Sequence, residues 1–509
     1  NIPYIYNDEF GYWATPAFLN NWHWSGLVST LPYYSFGYGF ILWGLYLMTG
    51  SMQVAYKAAL FVNVVWAMLG YYILASCLRY LFPRMETVQI RLISAVAVLF
   101  PGILSQTVFS WPETFLFFLY VCQIWVLINS IQKYRYDLFA LLGILSGYSY
   151  YVHQRTVGIT LAIALTIVLF SIFRRNIKPI LFFTLSILTV IVLGGMFKNQ
   201  LISTIWSSSN SVASNNIVGQ IGKIEYILSL QGIISLFFSI LGKLFYAFSA
   251  SLLLFPVTLL WLYKQLNATK NNSSYIYLFL TLSGIFMILI NSVSMVIPYN
   301  ITHTYYGRYI DSILPIWIAI GIIVILKEKI SIRTVFIILS IYVFLILTVK
   351  YQTVSYGLKY QAAINSAGNA YMAENEYFES KKGFFVPTIV FLVLIVLNTM
   401  AKNKAFRNCS MITVVSLLTV SFLLISVSTV RKFYLDWGYA PEESNRVFSE
   451  IKKIPSFGSA SLFAYYDEKG SYPQAYPGNG LQFLLEELPI TVLDGLSQFD
   501  RLMHDDSEW

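Results

Sequence analysis

The chain has 509 residues, of which 57% are hydrophobic and only 11% charged, and its mean hydropathy is +0.64. A soluble globular chain carries about 25% charged residues, so this composition specifies an α-helical polytopic membrane protein. The net charge of +9 does not point to nucleic acid, because the Lys and Arg residues fall mainly in short inter-helix turns, as the positive-inside rule expects.

The numbering opens at Asn1 with an extracellular-looking loop and no signal peptide, which points to a transmembrane helix preceding Asn1. The stretch Tyr6-Asn7-Asp8-Glu9-Phe10-Gly11 then sets two adjacent carboxylates before the first apolar run. A carboxylate near lipid must sit in a wet cavity, pair with a cation or lose its charge. The apolar run at 40–48 is shorter than the roughly 20 residues a span needs, and reads as a helix half-embedded at the outer surface.

Spans follow at 52–78, 89–104, 114–131, 138–150, 157–173, 179–197, 233–262, 275–297, 312–326, 334–349, 385–401 and 409–429. That makes about twelve visible spans, or thirteen with one before Asn1. Arg79 and Arg84, Lys133 and Arg135, Arg174, Arg175 and Lys178, Lys264 and Lys270, Lys327 to Arg333, and Lys402 to Arg407 fill one set of turns. That set is cytoplasmic by the positive-inside rule. The opposite side then carries the acidic stretch, the turns at Glu113 and at His153-Gln154-Arg155, and the segments 198–232, 298–311 and 350–384. The Ser- and Asn-rich segment 198–232 has the composition of a mobile flap.

After about residue 430 the character changes. Strands at 459–466 and 489–493 with a helix at 480–487 between them predict a small extracytoplasmic α/β domain over 431–509, which reads as unfinished at Trp509, as a truncated domain would. Residues 1–430 are the membrane domain. Cys77, Cys122 and Cys409 all fall in predicted spans and act as small apolar residues, with no metal-ligand spacing among them.

The chemistry-bearing candidates all lie on the outer side. Asp8 or Glu9 suits a general base that takes a proton from an acceptor hydroxyl, which requires contact within about 3 Å; the competing reading is a solvated loop pair. In extended chain the two point to opposite sides, so one of them faces a substrate. Glu113 is either a cap at a helix N-terminus or a second acid that orients the acceptor or helps hold a divalent metal with Asp8. Arg155, Arg308, His153 and Lys198 are among the few side chains on this side that carry or accept positive charge. Arginine binds phosphate bidentately at low desolvation cost, so the pair suggests a phosphate anchor. Snorkelling to headgroups, or an ion pair between Arg308 and Asp311, is the alternative. No nucleotide-binding glycine loop occurs, and the cytoplasmic turns are too short for a nucleotide-dependent activity.

These features resemble the GT-C superfamily, the polytopic glycosyltransferases that take sugars from polyprenyl-phosphate donors. Asp8-Glu9 is similar to the Asp-Glu of the protein O-mannosyltransferases. Glu113 falls where the superfamily has its second acidic loop residue, and Gly307-Arg308-Tyr309 resembles the Gly-Arg-Tyr of bacterial members such as the aminoarabinose transferases. The segment 198–232 sits where oligosaccharyltransferases keep a gating loop. The resemblance covers about residues 1–430. The second acid is Glu rather than Asp and no Asp-x-Asp is present, which leaves metal dependence open.

The resemblance implies an inverting, membrane-bound glycosyltransferase with its active site on the extracytoplasmic face of a bacterial plasma membrane. A polyprenyl-monophosphate sugar would be the donor, with its phosphate near Arg155 and Arg308 and with His153 and Lys198 in support. A cell-envelope glycan or lipid-linked acceptor would lose its proton to Asp8 and contact Trp13, Trp111 and Tyr306. A flippase of lipid-linked glycans and a non-catalytic envelope scaffold are the rival readings; unusual charge gathered at one face, rather than at the midplane, favours the enzyme.

Overall fold

The computed structural model describes residues 5–29, 31–206, 223–268, 271–296, 304–355, 364–374, 377–400, 407–437, 446, 448–450, 453, 463–466, 476–487 and 490–493. In chain order its helices are α1 (Asn7–Leu19), α2 (Gly37–Thr49), α3 (Met52–Leu81), α4 (Thr87–Val98), α5 (Pro101–Leu104) and α6 (Glu113–Lys133). Next come α7 (Tyr136–Val152), α8 (Val157–Arg174), α9 (Lys178–Ile205), α10 (Leu230–Ala250), α11 (Leu254–Ala268) and α12 (Ser273–Ser294). The last are α13 (Leu314–Lys327), α14 (Ile332–Ser355), α15 (Ser380–Met400), α16 (Arg407–Trp437) and α17 (Tyr476–Leu485).

Among the described residues, nine helices are long and apolar enough to cross a membrane, and the bent pair Thr87–Val98 and Pro101–Val108 makes a tenth. The expected count of about twelve differs by α7 and α13, which have 17 and 14 residues. At 1.5 Å per residue they reach only about 26 and 21 Å, short of a hydrocarbon core of about 30 Å. Helix α13 is buried at every position from Leu314 to Ile325, so it serves as a core helix packed on all sides.

Two predicted spans are broken, each at a proline. The run 89–104 bends by 59°, because Phe100 precedes Pro101 and takes an extended conformation. The new helix starts on the proline and passes into a 3-10 turn at Ser105–Val108. The run 233–262 divides into α10 and α11 at Leu252 and Leu253, which both take positive φ. Ser251 Oγ accepts from the Phe255 amide, and Pro256 falls in the first turn of α11, where its missing N–H costs nothing. Helix α9 runs on to Ile205, so the polar stretch expected from residue 198 starts later; residues 207–222 lie outside the described residues.

Two cores form. The larger one fills the space among α3 to α16. The second is aromatic and surrounds α1, with Phe10, Trp13, Trp24, Tyr56, Trp111 and Phe483 fully or almost fully buried. At the C-terminal end β3 (Phe463–Tyr466) and β4 (Ile490–Leu493) pair in parallel, with α17 between them in sequence; earlier, β1 (Ala373–Glu374) and β2 (Tyr377–Phe378) form a two-residue antiparallel pair. Helix α16 runs through residue 430 to Trp437, and α17 packs on α1 and α3.

Candidate active site

Asp8 and Glu9 occupy the first turn of α1, where the helix dipole favours carboxylates. The pair is helical, not extended as expected. Neighbours on a helix still diverge, by about 100°, and the two acids separate completely. Glu9 is fully buried. Its Oε2 accepts from the Tyr6 amide at 2.9 Å, closing the helix start. Its Oε1 accepts from Tyr56 Oη at 2.8 Å, the Ser110 amide at 2.6 Å and Ser110 Oγ at 3.0 Å. Burial pushes the Glu9 carboxyl up to about 7, against the pull of these donors. Glu9 thereby ties α1 to α3 and to the segment after the 3-10 turn.

Asp8 faces the other way. Its Oδ1 accepts from Tyr34 Oη at 2.7 Å and its Oδ2 from Arg308 Nη1 at 2.5 Å. Tyr34 reaches it because the residue beneath its ring is Gly11; a Cβ there would lie 2.0 Å from Tyr34 Cδ2. The Asp8 side chain is 22% exposed, against 1% for Arg308 and 2% for Glu113. Asp8 is thus the exposed edge of the cluster.

Glu113 is the first residue of α6, so it sits at a helix N-terminus and in the cluster at once. Its Oε1 accepts from Arg308 Nε at 2.6 Å and from Arg155 Nη2 at 2.9 Å. Arg308 is set by its backbone: the amides of Gly307 and Arg308 both donate to the Asn365 carbonyl. Gly307 lies so close to the Tyr246 ring that a Cβ would come within 2.1 Å of it. The Arg308 guanidinium lies 3.7 Å from the Trp111 ring centre, and that of Arg155 4.6 Å from the Tyr309 ring centre. Both arginines therefore turn into the protein toward Glu113 instead of out to headgroups. Asp311 does not pair with Arg308; its Oδ1 accepts from Tyr246 Oη at 2.6 Å.

The four charges balance, two acids against two guanidinium groups, which is how a buried ionic cluster offsets its desolvation cost. Hydrogen bonding within it is incomplete. Glu113 Oε2 and the Nε and Nη1 atoms of Arg155 are buried without a partner. Buried guanidinium donors left unmatched can receive an anion.

The remaining predicted residues divide. His153 Nδ1 accepts from the Arg155 amide, and its ring packs on Tyr309; burial first, then Arg155 and Arg308, hold it well below the usual histidine range. Tyr306 packs on the Tyr309 ring, and its carbonyl accepts from Lys243 Nζ at 2.8 Å. Lys198 lies elsewhere, over the Tyr33 ring. Trp13 and Trp111 are fully buried. Trp13 Nε1 donates to Ser110 Oγ, and Trp111 already carries Arg308 and Phe109.

Sequence reasoning passed over Tyr34, Tyr56, Ser110 and Lys243. The first three carry no charge and nothing in their spacing marks them. Lys243 had a signal, because an ionisable residue inside an apolar span is a functional candidate by default. Among the described residues no group of three or more His, Cys, Asp or Glu could hold a metal ion. Asp8 and Glu113 are instead joined through Arg308, so the metal-bridging role considered for Glu113 does not fit these residues. Two clefts, of about 770 and 410 Å³, open at Phe173-Arg174 with Asn271 to Tyr275, and at Leu81 to Met85 with Lys327-Glu328. They belong to the turns assigned to the cytoplasmic side, away from the acidic cluster.

No known family profile matches the sequence, and no curated protein matches it. The fold is similar to that in the crystal structure of ArnT from Cupriavidus metallidurans bound to undecaprenyl phosphate, with a TM-score of 0.50 and 11% identity over 99% of this chain and 84% of that chain. The apo-state crystal structure of the same protein aligns with a TM-score of 0.49 and 11% identity, over 97% of this chain and 82% of that chain. At this identity the likeness concerns the fold alone.

Proposed function

We propose that the chain is a GT-C-type membrane glycosyltransferase that moves a sugar from a polyprenyl-monophosphate carrier to a glycan or lipid-linked acceptor outside the cytoplasm. The observation that carries this reading is the convergence of Arg155 and Arg308 on one oxygen of Glu113, with two Arg155 donors left unmatched and Arg308 reaching on to Asp8. Arginines held in a protein interior by a carboxylate and aromatic rings are preorganised, and need little rearrangement to take a phosphate.

In the reaction the acceptor hydroxyl oxygen bonds to the anomeric carbon of the sugar while its proton passes to an Asp8 oxygen. The bond between the anomeric carbon and the phosphate oxygen breaks on the opposite face, so the configuration inverts. The polyprenyl phosphate leaves with its electron pair, and Arg155 and Arg308 take up the developing charge. Tyr34 holds the second Asp8 oxygen in place. Glu113 keeps both arginines at the leaving-group side, and Glu9 anchors the helix that carries the base. Trp13 and Trp111 act as supports beneath the acidic cluster, and Tyr306 and Tyr309 wall the arginine side.

The neighbouring fold was crystallised with undecaprenyl phosphate, which makes that lipid the first ligand to test. Purified wild-type protein in detergent should bind undecaprenyl phosphate by native mass spectrometry. Arg155→Ala should weaken binding by about tenfold to a hundredfold, since a charge-assisted hydrogen bond contributes roughly 1.5–3 kcal/mol. Equal affinity in wild type and variant would remove the phosphate-anchor role.

A further inference from the structure

Helix α17 comes from the far end of the chain, yet it touches the acidic helix and its supports on three sides. At its buried middle, Phe483 packs edge-on against Trp13 and Tyr56, at 5.1 and 5.8 Å between ring centres. Those two residues are the ones that fix Glu9: Tyr56 donates to its Oε1, and Trp13 donates to Ser110 Oγ, which donates to the same oxygen. Earlier in α17, the Asn479 side-chain amide donates to Asn7 Oδ1 at 2.7 Å, one residue before Asp8. Beyond its end, Glu486 accepts from two residues outside α17. Its carbonyl takes Trp24 Nε1 at 2.6 Å, and its Oε1 takes the Met52 amide at 3.0 Å, at the free start of α3. Trp24 in turn stacks on Phe10, the residue after Glu9.

These contacts bracket Asp8 without any of them reaching it. Asn479 holds the residue before it, Phe483 holds the partners of the residue after it, and Glu486 holds the start of the helix that carries Tyr56 and the Trp24 ring stacked on Phe10. We propose that α17 is a positioning clamp, in which Asn479, Phe483 and Glu486 set the register of α1 and so the reach of Asp8 toward the acceptor. The inference rests on the reading of Asp8 as the base, but the clamp itself is a statement about α1. With α17 docked, α1 is pinned between α3 and the segment at Ser110. With α17 loosened, α1 keeps Glu9 but loses the packing behind it. The arginine side hangs on Asn365 and Glu113 and does not depend on α17.

The test uses the full chain in detergent, with Phe483→Ala, the conservative Phe483→Leu, and Asn479→Ala, which removes only the bond to Asn7. Hydrogen exchange of the α1 peptide is measured together with binding of undecaprenyl phosphate and transfer from polyprenyl-phosphate sugars. In Phe483→Ala the α1 amides should exchange about tenfold faster while those of α7 and α8 keep their rates. Turnover should fall at saturating donor with donor affinity unchanged, and Phe483→Leu should restore most of both losses. If Phe483→Ala does not fold, Asn479→Ala should show the same selective loosening to a smaller degree. Unchanged α1 exchange, or equal loosening of α1, α7 and α8, would overturn the clamp. Full transfer by Asp8→Asn would instead remove the base reading and leave the exchange result standing.

Discussion

Arg308 and Asp8 are 300 positions apart in sequence and meet at 2.5 Å, the guanidinium fully buried and the carboxylate at the open edge. This ion pair links the cationic half of the site to its acidic half. In the proposed reaction, an anion that draws on the same guanidinium would free Asp8 for the acceptor.

Glu113 is the joint of the cluster, and its loss should be felt in stability. Glu113→Gln leaves two buried guanidinium groups against one carboxylate. Breaking a buried ionic arrangement from one side costs about 3–5 kcal/mol. The thermal midpoint in detergent should fall well below that of Arg155→Ala, which leaves Arg308 paired with both acids. Equal midpoints would mean that Glu113 is a cap and nothing more.

Gly11 should not tolerate a side chain. A Cβ there collides with the Tyr34 ring and breaks its hydrogen bond to Asp8. Gly11→Ala and Tyr34→Phe should therefore lower turnover in the same direction, by about tenfold if the bond is a charged one of roughly 1.5 kcal/mol. Undecaprenyl phosphate binding should be unaffected, and wild-type turnover in both variants would exclude Tyr34 from the mechanism.

The raised Glu9 carboxyl predicts a pH dependence with a definite sign. Its folded value, about 7, lies above its ordinary value of 4.5, so the folded state binds the extra proton. Its stabilising contribution is complete below pH 4.5 and is lost as the pH rises through 7, by about 3 kcal/mol in all. Thermal midpoints taken from pH 5 to 8 should drop for wild type and vary less for Glu9→Gln. Parallel curves would show that Glu9 ionises normally.

Topology can be checked without any substrate. In a background free of Cys77, Cys122 and Cys409, an impermeant thiol reagent added outside should label His23→Cys, near the acidic helix, and spare Lys133→Cys. The reverse pattern would turn the site to the cytoplasm, away from extracytoplasmic acceptors.

Charge scarcity made most of the cluster legible in the sequence. In a chain with so few ionisable residues, Asp8, Glu113, Arg155 and Arg308 stand out, and all four positions fell on the same predicted side. The structure adds how they combine. Asp8 was the expected base with Glu9 facing away from it, and the helical geometry of α1 decides that Glu9 turns inward and Asp8 outward. The hydroxyl and amide of Ser110 were invisible, because they reach Glu9 only when the span breaks at Phe100-Pro101. The bond between Trp24 and Glu486 closes a separation of 462 residues, and no local pattern encodes so distant a contact. Lys243 was legible by its type and was passed over inside an apolar run.

The most direct measurement is sugar transfer by Asp8→Asn, made beside wild type with the same polyprenyl-monophosphate donors. The substitution keeps size and removes basicity. Turnover should fall by something like the 10²–10⁴-fold typical of losing a general base, with undecaprenyl phosphate binding and thermal midpoint close to wild type. Asp8→Asn protein that folds, binds the lipid and transfers sugar at the wild-type rate would contradict the account.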